Sequence, residues 1–191
     1  KGRGLNGHSF GNLFLTALKE ITGSDAAAVV EAGKILKIKG QVLPVTLTNA
    51  NLTATLQNGT IIRGQAKIAF PKHNPDLKIL KIEVTPVAET TPAVRAAIKN
   101  AERIVIGPGD LFTSILPNLL VRGVTEAIRR SKAKKIYVVN LMTKAGETSG
   151  FSVKEHIGWI VKTLGKGVLD VALYNTKKPQ EALARAYRKE G

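Results

Sequence analysis

Three short apolar runs, Arg103–Gly107, Lys135–Leu141 and Leu169–Asn175, constrain this chain most, because helical spacing follows each of them. Strand-then-helix units in series predict a parallel sheet, since a parallel neighbour is reached only through a crossover. The runs read as buried strands, and the helices are expected on both faces of their sheet. Leu111–Leu120 and Val124–Ser131, interrupted by Pro117, Ser152–Leu164 and Pro179–Lys189 supply the helices, with Pro92–Asn100 ahead of the first strand.

Upstream the pattern differs. Asn12–Ile21 is apolar at Leu13, Phe14, Ala17, Leu18 and Ile21, a helical spacing that Gly23 ends. Ser24 or Asp25 can cap a second helix over Ala26–Ile38, closed by Gly40. From about 41 to 84 the chain turns rich in Thr, Val and Ile. There Asn58-Gly59 lies between Leu52–Gln57 and Thr60–Ala69, which predicts a β-hairpin with a type I′ turn. Ile79–Val84 reads as a further strand, after a loop containing Pro71, His73, Asn74 and Pro75. The expected architecture is one α/β domain over 1–191: a Rossmann-like parallel sheet, helices on both faces, and an inserted β-hairpin region. Neither an internal repeat nor a low-complexity linker interrupts it.

Composition narrows the function classes. With 43% hydrophobic residues the chain can bury a core, and no apolar run approaches the roughly 20 residues of a membrane span. No cysteine is present, which excludes disulfides and thiolate metal sites. His8, His73 and His156 show no ligand spacing, so no metal site is assigned to them. The opening Lys1-Gly2-Arg3-Gly4 does not read as a signal peptide, and the expected location is the cytoplasm. Lys and Arg number 29 against 14 Asp and Glu, a net charge of +15 that favours anionic partners. Nucleic acid is the weaker choice, because five Phe, three Tyr and one Trp give no series of stacking platforms. The sequence leaves a homo-oligomer open.

Ligands of an open parallel sheet bind beyond the carboxyl ends of its strands. At the first end stands Gly107-Pro108-Gly109-Asp110, then Leu111-Phe112-Thr113-Ser114. Gly107 and Gly109 permit a tight turn close to a ligand, Pro108 stiffens it, and the following helix start offers N–H groups beside the Thr113 and Ser114 hydroxyls. That is the chemistry of phosphate binding. Asp110 opposes it unless a metal or lysine intervenes, and it can instead serve as a plain N-cap. The second end, Asn140 to Gly150, is a polar loop in which Lys144 can meet an anion. Asn175 marks the third end, and Asn140 with Asn175 can jointly read a base or sugar.

Gly7-His8-Ser9-Phe10-Gly11 spells G-x-S-x-G, with Asp110 and His156 following in the order of a hydrolase triad. The motif needs a buried strand before its serine, and Lys1–Asn6 cannot be one. An anion loop capping the Asn12 helix, with Ser9 or Asn12 facing ligand, fits better.

Taken together, Gly7–Asn12, Lys39–Pro44, Ile106–Pro117 and Asn140–Gly150 resemble the gluconeogenesis factor family (YvcK-type, UPF0052), relatives of the 2-phospho-L-lactate transferase CofD. The family's GHSFGN segment with a later ITG stands here as Gly7–Asn12 with Ile21-Thr22-Gly23. Its KGQVLP-like run, GPGxLxTSxLPNLLV block and N-x-MTxxGET segment stand as Gly40–Pro44, Gly107–Val121 and Asn140–Thr148. The resemblance implies a Rossmann-like fold holding a nucleotide-linked ligand. It extends the candidate ligand-binding residues to Gly7, His8, Ser9, Phe10, Gly11, Asn12, Thr143, Glu147 and Thr148. For the bacterial branch it implies a UDP-sugar-binding regulatory protein, needed for growth on gluconeogenic carbon and for cell shape. The alternative it implies is a transferase that moves a phospho-lactyl group from a nucleotide to a flavin-type acceptor with Mg2+. Two departures stand out. The family's opening GGGTG turn is absent, so the chain reads as lacking its first strand–helix units. Asp110 also occupies a place where a small residue is expected.

Overall fold

The computed structural model describes residues 9–71 and 74–190. The first helix, α1 (Phe10–Thr22), starts where the Ser9 hydroxyl accepts the Asn12 N–H at 3.2 Å. It stops at Gly23, whose φ of 78° is the left-handed conformation that glycine adopts without strain. Ser24 then caps α2 (Asp25–Ile35) through the Ala27 N–H. α2 ends before the expected Ile38, at a turn where Lys37 takes a φ of 48°. Phe14, Leu18, Ala28 and Ala32 hold the two helices together as a small cluster of their own.

The β-rich stretch forms β1 (Asn51–Leu56), β2 (Ile61–Arg63), α3 (Gln65–Ala69) and β3 (Ile79–Thr85), with the strands in antiparallel order β2-β1-β3. The hairpin is present but its turn is not type I′. Gly59 alone in that turn has positive φ. Its N–H donates to the Leu56 carbonyl at 2.9 Å, and Leu56 N–H donates to Thr60 O at 2.9 Å. This is the three-residue loop of a type I turn followed by a left-handed glycine. The Asn58 side chain accepts the Thr60 N–H and fixes it further. Thr60–Ala69 is not one strand either: Gly64, at φ 101°, ends β2 and begins α3.

From there strands and helices alternate as expected. α4 (Pro92–Asn100) begins at the Thr91 cap, with proline in its first turn. β4 (Arg103–Ile106) leads to a π-helical segment (Leu111–Ile115), α5 (Leu116–Leu120) and α6 (Val124–Arg130). β5 (Lys134–Val138), α7 (Val153–Leu164), β6 (Val171–Leu173) and α8 (Glu181–Glu190) complete the order. β4, β5 and β6 pair in parallel in that order, with Ile106 opposite Tyr137 and Tyr137 opposite Ala172. Ile106, Lys135 and Tyr137 share the covered face of this sheet, whereas Val105 on the other face is 58% exposed. β4 thus departs from a strand buried on both faces, because among the described residues it lies at an edge. Pro117 does not separate two helices as expected; it sits in the first turn of α5, where its missing N–H is harmless.

One apolar core joins the two sheets. Leu56 of β1, Ile106 of β4, Tyr137 of β5, Leu111, Phe112 and Leu116 of the π–α5 stretch, and Ile160 and Leu164 of α7 all belong to it. The Phe112 ring meets Trp159 edge-on at 4.8 Å, so Trp159 serves packing, as does fully buried Ile160. The described helices include none long and apolar enough to cross a membrane.

Candidate functional site

The carboxyl end of β4 carries the glycine turn. Gly107 has φ 80°, and a Cβ built on it would stand 2.9 Å from the Val138 carbonyl oxygen. Only glycine lets β4 leave the sheet so close to β5. Gly109 differs from the sequence expectation. Its φ is not left-handed, and a Cβ there would meet Ser114 and Ile115 at an ordinary 3.5 Å. The turn therefore demands glycine at 107, not at 109. Asn140, at the end of β5, braces the turn by accepting the Gly109 N–H at 3.1 Å.

Outside the turn lies a cavity of about 340 Å3, lined by Gly107, Pro108, Gly109, Ser114 and Asn118 among others. Ser114 is exposed there, and its hydroxyl has no hydrogen-bond partner among the described residues. Thr113 points the other way. Its side chain is buried and donates to Glu147 Oε1 at 2.9 Å, so it is a brace rather than an open donor.

Asp110 precedes the π-helical segment without capping it by its side chain. Its Oδ2 instead lies 2.5 Å from Lys144 Nζ, and the same ammonium is 2.9 Å from Glu147 Oε1. The lysine that a phosphate beside Asp110 would require is thus in place. Burial works against the Lys144 charge, but hydrogen bonds and attraction from Asp110 and Glu147 outweigh it and raise its pKa above the ordinary lysine value. The Phe70 ring lies under the ammonium, with its centroid 5.7 Å from Nζ. Glu147 is 2% exposed and its Oε2 is unpartnered. Thr148, also buried, accepts the Lys144 backbone N–H at 2.9 Å.

A second cleft, about 580 Å3, lies past the ends of β5 and β6 and is lined by Leu141, Met142, Asn175, Lys177, Lys178 and Tyr187, among others. Asn175 spends its side chain on a local turn, bonding both the N–H and the carbonyl of Lys177. Asn140 thus braces one loop and Asn175 shapes another. Thr143 contributes its carbonyl, which accepts the Tyr187 hydroxyl at 3.0 Å.

Ser9 is a helix cap, Phe10 is 81% exposed, and Gly11 and Asn12 are exposed at the start of α1. No hydrogen bond of the described residues ties these four to the glycine turn. Gly7 and His8 lie outside the described residues, as does His73. His156 is buried in α7 with Nδ1 3.0 Å from the Ser152 carbonyl, which makes it a core residue.

Gln65, Phe70, Pro71 and Asn118 complete the surroundings of the turn and were not singled out from the sequence. Gln65 Nε2 donates to the Thr113 carbonyl at 3.1 Å, the carbonyl to which Pro117, four residues on, has no N–H to give. Pro71 abuts Gly146, where a Cβ would come within 2.3 Å of its ring. Asn118 is the recoverable one: it stands one turn after Ser114, and its Nδ2 donates to the Ser114 carbonyl.

The Mg2+ implied for a transferase does not suit these residues. The two carboxylates nearest the turn already bracket an ammonium, which would repel a divalent ion placed between them. The described residues contain no group of three or more His, Asp or Glu side chains arranged to hold a metal.

A family model for the 2-phospho-L-lactate transferase CofD matches residues 1–191. The gluconeogenesis factor of Halalkalibacterium halodurans is 40% identical over 191 residues, covering 99% of this chain and 58% of that protein. The gluconeogenesis factor of Bacillus subtilis is 36% identical over 193 residues, covering 100% of this chain and 59% of that protein. A crystal structure of a UPF0052 family member from Bacillus halodurans superposes with a TM-score of 0.90 at 38% identity, covering 99% of this chain and 60% of that one. The chain spans less than two thirds of the length of these relatives.

Proposed function

Since this chain belongs to the CofD family, together with the gluconeogenesis factors, we propose that it binds a nucleotide-linked sugar at the carboxyl end of its parallel sheet. In this reading the ligand's phosphates sit against the Gly107–Gly109 turn, and the protein is a regulatory UDP-sugar-binding protein of gluconeogenic growth and cell shape. The observation that carries it is the Asp110–Lys144 ion pair. Pairing with the lysine offsets the repulsion that the Asp110 carboxylate would exert on a phosphate. The cavity beside the turn then offers Ser114 and Asn118 next to the apolar side chains of Ile106, Ile115 and Leu119.

The second cleft supports the same reading. Leu141, Met142 and Leu183 offer apolar surface for a base or sugar face, and Lys177 and Lys178 offer positive charge. The single domain over 1–191 and a cytoplasmic location belong to this proposal.

Calorimetric titration with UDP-N-acetylglucosamine, UDP and N-acetylglucosamine tests it. Saturable heat with the nucleotide sugar, and weaker heat with free sugar, is expected. A folded protein that gives no heat with millimolar UDP-N-acetylglucosamine contradicts it.

A further inference from the structure

Lys144 is held in its place from several sides. Its backbone N–H is bonded to the Thr148 hydroxyl, and its carbonyl accepts the N–H groups of Glu147 and Thr148 at 3.1 and 2.8 Å. Its Nζ then reaches Asp110 Oδ2 and Glu147 Oε1, residues contributed by two different strand ends. Thr113 bonds the same Oε1, so the buried carboxylate cannot easily turn away. An ammonium has three N–H donors, and the two carboxylates occupy two of them. The Lys144 side chain is 27% exposed, which leaves the third donor a route to a ligand oxygen.

We propose that the Lys144 ammonium is the resident cation of the glycine turn, standing between Asp110 and Glu147 where a divalent metal would otherwise bind. The turn of this chain then takes up no Mg2+ or Mn2+, and an anionic phosphate ligand is met there by the ammonium. Charge arithmetic makes this specific. Asp110, Glu147 and Lys144 together carry one negative charge, whereas removing the ammonium leaves two, the number a divalent ion neutralises. Mg2+ also demands about six oxygens near 2.1 Å. With Lys144 present, a second cation would have to enter beside the first.

The phosphate part of this inference rests on the nucleotide-sugar reading; the metal part does not. It is therefore tested with Mn2+ alone, with no nucleotide present. Free Mn2+ is measured by electron paramagnetic resonance, and the thermal midpoint is followed at constant ionic strength. The wild-type chain is expected to take up no Mn2+ that Asp110→Asn abolishes. Lys144→Met is expected to gain a saturable site, at least about tenfold tighter than any wild-type uptake, because a unit repulsion at close range has gone. Lys144→Arg should keep the site closed to Mn2+. If Lys144→Met does not fold in its absence, Mn2+ but not K+ should restore the fold. Wild-type uptake that disappears in Asp110→Asn overturns the proposal. So does a folded Lys144→Met protein that gains no site, or an unfolded one that Mn2+ does not restore.

Discussion

Gly107 faces Val138 across the β4–β5 pair, and a Cβ on Gly107 would stand 2.9 Å from the Val138 carbonyl oxygen. Real Cβ atoms do not come so close to a backbone oxygen. Gly107→Ala must therefore open the two strands or change the backbone at φ 80°, itself a cost of about 1–2 kcal/mol. The expected result is a loss of about 2 kcal/mol or more in denaturant unfolding. A loss below about 0.5 kcal/mol would show that the turn is not held as described.

Thr113 and Glu147 form a fully buried polar pair at the site, at 2.9 Å. Thr113→Val keeps the shape and removes the donor from a carboxylate that already has one unpartnered oxygen. A loss of about 1–3 kcal/mol is expected in urea titration. Glu147→Gln should couple to it, so that the double variant loses less than the sum of the two single losses.

Ser152 and Glu155 close α7 with a reciprocal capping box. Backbone and side-chain hydrogen bonds from Ser152 lower the Glu155 pKa, with Lys78 adding to them. A depressed carboxylate pKa gives stability that is present above the unfolded value and is lost as pH falls through the folded one. Loss of the Ser152 cap alone should cost Ser152→Ala about 1 kcal/mol at neutral pH. It should also flatten the acid limb of the stability curve in part, because the Ser152 backbone N–H still donates to Glu155 Oε2. An acid limb identical to that of the parent would contradict the assignment.

Tyr137 gives the opposite limb. Burial pushes its hydroxyl up to about 12, and the hydroxyl has no hydrogen-bond partner among the described residues. A raised tyrosine pKa means stability that is complete below the unfolded value, near 10, and lost as pH rises toward 12. Tyr137→Phe should remove this alkaline loss and leave neutral stability unchanged or higher. Thermal scans from pH 8 to 11, roughly the span around the ordinary tyrosine value near 10, read this directly.

What the sequence made legible follows from how local each signal was. The parallel strands and the cap at Ser24 depend on near neighbours in the chain, and they stand close to where the pattern put them. Gly64 and Lys37 changed local course in ways that composition does not encode, which is why a strand became β2 plus α3 and α2 ended early. At the site, the turn at 107–110 was readable, and so was Lys144 as a residue able to meet an anion. The partnership of Lys144 with Asp110 and Glu147 was not, because it joins two strand ends 34 residues apart in the chain. The bracing bonds of Asn140 and Asn175 were hidden for a similar reason. An asparagine at a strand end can brace backbone as well as meet a ligand, and only the fold decides which.

The central claim is that ligand phosphate lies against the Gly107–Gly109 turn, and Gly109→Val tests it most directly. The backbone at 109 tolerates a Cβ, so the fold should survive, whereas a branched side chain intrudes on the cavity shared with Ser114 and Asn118. The measurement is the calorimetric affinity for UDP-N-acetylglucosamine of Gly109→Val beside the parent, with thermal midpoints recorded for both. The account predicts a midpoint close to that of the parent and binding weakened by at least about tenfold, some 1.4 kcal/mol. A folded Gly109→Val protein that binds the nucleotide sugar as tightly as the parent would contradict it.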